Sequence, residues 1–276
     1  YNNVKARNLQ TIGTAGKFSY DAKGKIKFTI DGDLRPVTKF PHRKDDDTSG
    51  AVVIYESPYR NEAQQVPLNL YVLCHDPYGQ NQSADSTSLG SAYVIKRVNN
   101  ISQPDDMIVA SYVGRPHSQD EYNQNLFMLA DYYGCKIGFE NDRGEVIAYA
   151  KRHRKLHKLQ EEFEMLDKKE LRSKTVKRQY GMHMTEARKR QGEIYIRDWL
   201  NTVRRKDENG NVTLNLHKIY DPALLMELIK FNHAGNFDRV MSLMIGMYHS
   251  RELYNAEVKE VLEDNSSNSW FDQNYY

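Results

Sequence analysis

Apolar residues fall in short blocks over the first half of the chain and at helical spacing over much of the second. Lys25-Ile-Lys-Phe-Thr-Ile30 alternates polar with apolar, the pattern of a half-buried strand, and Asp31-Gly32-Asp33 supplies the turn that ends it. Ala51 to Tyr55, Leu70 to His75, Ala92 to Val98 and Met107 to Val113 are nearly continuous apolar runs. Runs of that length bounded by Pro, Gly or polar loops predict buried strands. The last three follow one another through short polar connections, so they predict an antiparallel meander.

The period then changes. Ser118 with Glu121 three residues later predicts a capping box opening a helix. Leu126, Leu129, Ala130 and Tyr133 recur at its inner face, and Gly134 stops it. Lys136 to Phe139 reads as a strand, and a strand-helix-strand crossover predicts that it runs parallel to an earlier strand. Residues 142–170 read as a charged helix on which His153, His157 and Glu161 share i, i+4, i+8 spacing. The Lys and Arg around them favour a solvated basic face over a metal site. Thr185 is expected to cap a helix to about Val203 with Ile194, Ile196 and Leu200 inward, followed by an Asn209-Gly210 hairpin turn. Asp221-Pro222 opens a helix with Leu224, Leu225, Leu228 and Ile229 as its apolar face. Asn236 to Met247 opens the last one, with Val240, Leu243, Met244 and Met247 in one stripe.

Composition narrows the class. The chain has 276 residues, 28% of them charged and 11% aromatic, enough for a substantial core and unlike a disordered protein. No apolar run approaches the ~18 residues of a membrane span. Cys74 and Cys135 lie in or beside apolar runs, as buried reduced thiols do. The net charge of +2 conceals an asymmetry. Residues 151–206 hold 18 Lys and Arg against 8 Asp and Glu, a surplus that suits a polyanion such as nucleic acid. Lys177, Arg178, Arg188 and Lys189 are its candidate phosphate contacts. Near the N-terminus, Gly16-Lys17 suggests a phosphate loop, but Thr11 replaces its first glycine and Phe18 its Ser or Thr.

The candidate chemistry is carboxylate chemistry. Asp76 closes the 70–75 strand before Pro77, at the strand end where open α/β sheets bind ligands. Glu140 ends the strand expected beside it. Asp238 lies in the first turn of the last helix, where the helix dipole favours an acid. Three acids from two adjacent strand ends and a helix start can hold two divalent ions, and hard oxygen donors suit Mg²⁺ or Mn²⁺. Such a pair hydrolyses phosphodiesters. The ordering of meander, crossover and terminal helix is the ribonuclease-H-like arrangement: an α/β mixed sheet, antiparallel meander plus parallel strands, flanked by helices.

Several pieces also resemble one family over about residues 50–250, the C-terminal nuclease domain of the large terminase subunit of tailed bacteriophages. They are His75-Asp-Pro-Tyr-Gly79, Ile108 to Pro116, Tyr132 to Asn141, Tyr180-Gly-Met-His-Met-Thr185 with Arg188, and Asn236-Phe-Asp-Arg-Val-Met241. The resemblance implies a metal-dependent endonuclease that cuts concatemeric double-stranded viral DNA during genome packaging, in the host cell cytoplasm. It implies Asp76, Glu140 and Asp238 as ligands of the catalytic metals and Asp85 as an accessory ligand. It also implies, in the full-length protein, an N-terminal packaging ATPase, a small terminase subunit and a portal as partners. The chain is accordingly expected to divide into a linker or ATPase remnant (1–48), the nuclease domain (49–263) and a flexible tail (264–276). The family often has an acidic pair at the third ligand, where Phe237 and Arg239 flank Asp238 here. A resolvase- or integrase-like nuclease of the same fold is the alternative; another is a catalytically silent module that grips DNA or docks on a portal.

Overall fold

A computed structural model of the chain describes residues 13–43, 45–79, 88–97, 107–142, 144–163 and 180–272, with side chains to residue 259. Seven strands form one sheet: β1 (Thr14–Tyr20), β2 (Ile26–Ile30), β3 (Ala51–Ile54), β4 (Tyr71–Asp76), β5 (Gly90–Lys96), β6 (Met107–Gly114) and β7 (Ile137–Phe139). Their order is β2-β1-β3-β6-β5-β4-β7. All neighbours are antiparallel except β4 and β7, which run parallel with Cys74 opposite Gly138 and His75 opposite Phe139. The meander β4-β5-β6 with a parallel strand beside its first member gives the ribonuclease-H-like fold expected above.

Side-chain alternation explains why these strands read as unbroken apolar runs. Tyr71 and Leu73 of β4, with Ala92 and Val94 of β5, join one buried cluster; Val72 and Cys74, with Tyr93 and Ile95, join the other. Both faces are covered, so neither set of alternate positions is polar. On the first face lies α1 (Gln119–Tyr133), whose Leu126, Phe127, Leu129 and Tyr133 are buried. Ser118 caps it by accepting from the Asp120 N–H, one residue short of the expected box, and Gly134 ends it in a left-handed conformation.

On the second face lies α5 (Asp238–Asp272), packed on β4 and β5 through Val240, Leu243, Met244 and Met247. Ser242 donates to the Cys74 carbonyl at 3.1 Å. Gly246 makes the close approach possible, because a Cβ there would lie 2.7 Å from Ile95 and 2.9 Å from the Cys74 Sγ. Gly246→Val should therefore cost about 1–3 kcal/mol by overpacking, read as a lower midpoint of chemical denaturation. Two further helices, α3 (Glu186–Leu200) and α4 (Pro222–Lys230), brace α5. The hairpin β8 (Val203–Lys206) and β9 (Val212–Leu214) forms around the expected Asn209-Gly210 turn. No helix among the described residues is long and apolar enough to cross a membrane.

Several expectations are corrected. Residues 14–30, read as part of a linker, contribute β1 and β2 to the sheet, so the boundary expected at 48/49 cuts through it. Helix α5 runs through Asp272, past the point where a flexible tail was expected. Of the helix expected over 142–170, the described residues form α2 (Glu145–Arg152) and a 3₁₀ turn, Leu156–Lys158, separated by Arg154 at φ 57°, and residues 164–170 lie outside them. His153, His157 and Glu161 therefore share no helix face, and His153 stacks on Tyr149. Ile194 and Ile229, expected inward, are exposed; Trp199 and Ile196 fill the inner face of α3.

Candidate active site

Chain parity places the acids. Asp76 follows Val72 and Cys74 on the α5 side of β4, whereas His75 points to the other face and stacks on Tyr122. Burial leaves that imidazole neutral, its pKa lowered to about 4. Glu140 stands one residue past β7 with its N–H donating to the His75 carbonyl at 3.2 Å, which brings it beside Asp76. Asp238 begins α5, the helix packed under these strand ends. Its carboxylate accepts from the Leu89 N–H at 2.8 Å, the Ser88 hydroxyl at 3.1 Å and the Asn236 amide at 3.4 Å. Asp76, Glu140 and Asp238 line one cavity of about 260 Å³ with Asp142, Lys189, Ser88 and Asn236.

Asp142 and His183 are the site residues that sequence reasoning passed over. A strap, residues 180–184, lies against the end of β7: the Asn141 N–H donates to the Met182 carbonyl at 2.7 Å and the Met182 N–H to the Phe139 carbonyl at 2.9 Å. Gly181 turns the strap at φ 71°, where a Cβ would lie 2.8 Å from the Phe139 carbonyl oxygen. The strap brings His183 into hydrogen-bonding contact with Asp142. The signals available were the i, i+2 spacing of Glu140 and Asp142 and the Tyr180 to Thr185 run itself.

Burial sets the electrostatics, with repulsion between acids added at Asp76 and Glu140. Burial, then the charges of Asp238 and Glu140, push the Asp76 carboxyl well above the ordinary carboxylate range. Burial and Asp142 push Glu140 up to about 7, while Lys189 opposes the shift. Burial also raises Asp238 against its hydrogen bonds from Leu89 and Ser88. Buried acids raised in this way keep protons or take a cation, and their oxygen donors are of the kind that holds a hard divalent ion.

The basic candidates divide. Lys189 lines the cavity and pairs with Glu186 at 3.3 Å. Arg188, expected to face DNA, is buried, and its guanidinium donates to the His183 carbonyl at 2.6 Å. It holds the strap. Lys177, Arg178 and Asp85 lie outside the described residues.

This chain is similar to the large terminase nuclease from thermophilic phage G20c with bound zinc: 12% identity, 88% of this chain and 96% of that chain covered, TM-score 0.44. The same nuclease with bound magnesium matches at 11% identity, over 88% of this chain and 95% of that chain, with TM-score 0.39. The sequence matches no protein-family model and no curated protein.

Arg239, beside Asp238 in sequence, is not among the residues that line the cavity. It turns away from the cavity, 1% exposed, and pairs with Glu227 at 2.8 Å and Asp221 at 3.3 Å while donating to the Val37 carbonyl at 2.6 Å. Glu227 also accepts from the backbone N–H groups of Arg239 and Val240, at 2.9 and 3.3 Å, and so caps the helix that carries Asp238.

The raised carboxyls carry a stability prediction. Their folded pKa values exceed the unfolded ones, so the folded state holds protons that the unfolded chain releases, and stability falls as pH rises toward the Glu140 value of about 7. In EDTA, wild-type protein should lose more thermal stability than Asp76→Asn between about pH 5 and pH 8, and Mg²⁺ should shrink the difference. The variant cancels the contributions of the buried His75 and His249, whose lowered pKa values act with the opposite sign. Parallel thermal melts check it.

Proposed function

We propose that this protein is a metal-dependent endodeoxyribonuclease, the nuclease domain of a phage large terminase, cutting concatemeric double-stranded DNA during genome packaging. The observation that carries the reading is the convergence of Asp76, Glu140 and Asp238 on one cavity at the carboxyl end of β4. Their order along the chain and the terminase-like pieces around them support the same assignment.

Asp76, Glu140 and Asp238 would hold the two divalent cations, Mg²⁺ or Mn²⁺. Bound there, these ions would supply an activated water and charge stabilisation for an in-line phosphodiester displacement. The protein's share is positioning. Glu227 and Arg239 fix the start of α5, so Asp238 is presented to the cavity on a rigid helix end. Ser88 and the Leu89 N–H orient the Asp238 carboxylate and leave little freedom to its rotamer. Lys189 brings a positive charge to the mouth, suited to a backbone phosphate rather than to a base edge. Contacts of that kind bind DNA with little sequence preference and weaken with salt. An N-terminal ATPase, small terminase subunit and portal would be its partners in the intact motor, within the host cytoplasm.

The test is incubation of supercoiled plasmid with the protein in Mg²⁺, in Mn²⁺ and in EDTA. The reading expects nicked and linear products with metal and none in EDTA. Binding of DNA without cutting under either metal would favour a gripping module instead.

A further inference from the structure

Glu140, Asp142 and His183 each offer a ligand atom within 4.8 Å of the other two. Their chemistry differs from that of the Asp76, Glu140 and Asp238 group, because an imidazole nitrogen joins two carboxylates. Nitrogen donors select divalent transition ions over Mg²⁺, which takes oxygen and keeps much of its water. Glu140 belongs to both groups: it lines the cavity with Asp76 and Asp238, and it offers a ligand atom within 4.8 Å of those of Asp142 and His183.

The donors are held in place independently of any substrate. The Asn141 side-chain amide donates to the Tyr180 carbonyl at 2.7 Å, and the Gly181 N–H to the Gln160 carbonyl at 2.9 Å. Arg188, buried beneath, anchors the His183 carbonyl. The side chains themselves stay reachable: His183 is 34% exposed and Asp142 39%. A rigid strap presenting an open histidine against two carboxylates is the form of a ligand set with free coordination positions.

We propose that Glu140, Asp142 and His183 form a separate site for a divalent transition ion, Mn²⁺ or Zn²⁺, on the rim of the cavity. It shares Glu140 with the Asp76, Glu140 and Asp238 group and adds Asp142, from the same cavity lining, and His183. The site depends on these three side chains alone and stands whether or not the protein cuts DNA. Its occupant screens the repulsion between Glu140 and Asp142 and ties the strap to the end of β7.

The test is Mn²⁺ titration of the whole chain in saturating Mg²⁺, followed by calorimetry and by electron spin-echo modulation. Wild type should bind one Mn²⁺ that Mg²⁺ does not displace, with nitrogen modulation from the imidazole. His183→Ala should lose the nitrogen signal and weaken that binding by at least about 10-fold, Asp142→Asn should weaken it similarly, and Asp76→Asn should retain it. Wild-type binding without nitrogen modulation would overturn the proposal, as would His183→Ala titrating like wild type. The wild-type spectrum decides even where a variant fails to fold. A nitrogen-coupled ion on a protein that cuts no DNA would leave this site standing and remove the nuclease reading. Metal-dependent cutting without such an ion would do the reverse.

Discussion

Asp76→Asn is expected to reduce metal-dependent cutting by at least about 100-fold while leaving the fold intact. Outer-shell partners of metal ligands are worth about 10–100-fold, and a direct ligand should exceed them. The amide keeps the carboxylate's shape and removes the charge that would compete for a cation. It also removes repulsion: Asp76 is held well above its ordinary pKa by burial and by Asp238 and Glu140. The variant should therefore melt at least as high as wild type in EDTA at neutral pH. Loss of activity joined to equal or greater stability is the signature of a functional carboxylate, and single-turnover cleavage with parallel melts would read both. A variant that cuts normally would remove Asp76 from the chemistry.

Arg239→Ala is expected to be the most damaging change outside the cavity, at about 3–5 kcal/mol, because it leaves partners buried without their counter-charge. Glu227 and Asp221 lose their ion pairs, and the Val37 carbonyl loses its donor. Glu227, already raised to about 7 by burial, would be driven further toward its neutral form. Its two hydrogen bonds to the start of α5 would weaken with it, and Asp238 would lose its fixed base. Chemical denaturation measures the first effect. The second appears as weaker Mg²⁺ binding at temperatures where the variant remains folded. Unchanged stability would mean that the network contributes nothing net.

The central architecture was legible because the strands carry it in their composition. With both faces of β4, β5 and β6 covered, their runs carry few polar residues, and Asp76 ends one of them abruptly. The crossover through α1 then dictated where Glu140 must fall. Asp238 was readable as a first-turn acid. What escaped depends on contacts distant in sequence. His183 reaches Asp142 only because a strap about forty residues on pairs with the end of β7, and no local period records that pairing. Arg239, beside Asp238 in sequence, looked like a neighbour of the site. One helical step of about 100° points it at α4 instead. The strand β1 was hidden for the opposite reason, since its polar positions and nearby glycines made it look like a connector; β2 was legible as a strand from its alternation, but not its place in the main sheet. Arg188 misled by charge, counted with a basic face while its guanidinium lies buried.

Plasmid cleavage in Mn²⁺ by wild type, Asp76→Asn and Asp238→Asn, each with an EDTA control, tests the central claim most directly. The account predicts nicking and linearisation by wild type alone, abolished by EDTA, with both variants folded and inactive. Cutting that persists in both variants, or that survives EDTA, would contradict it.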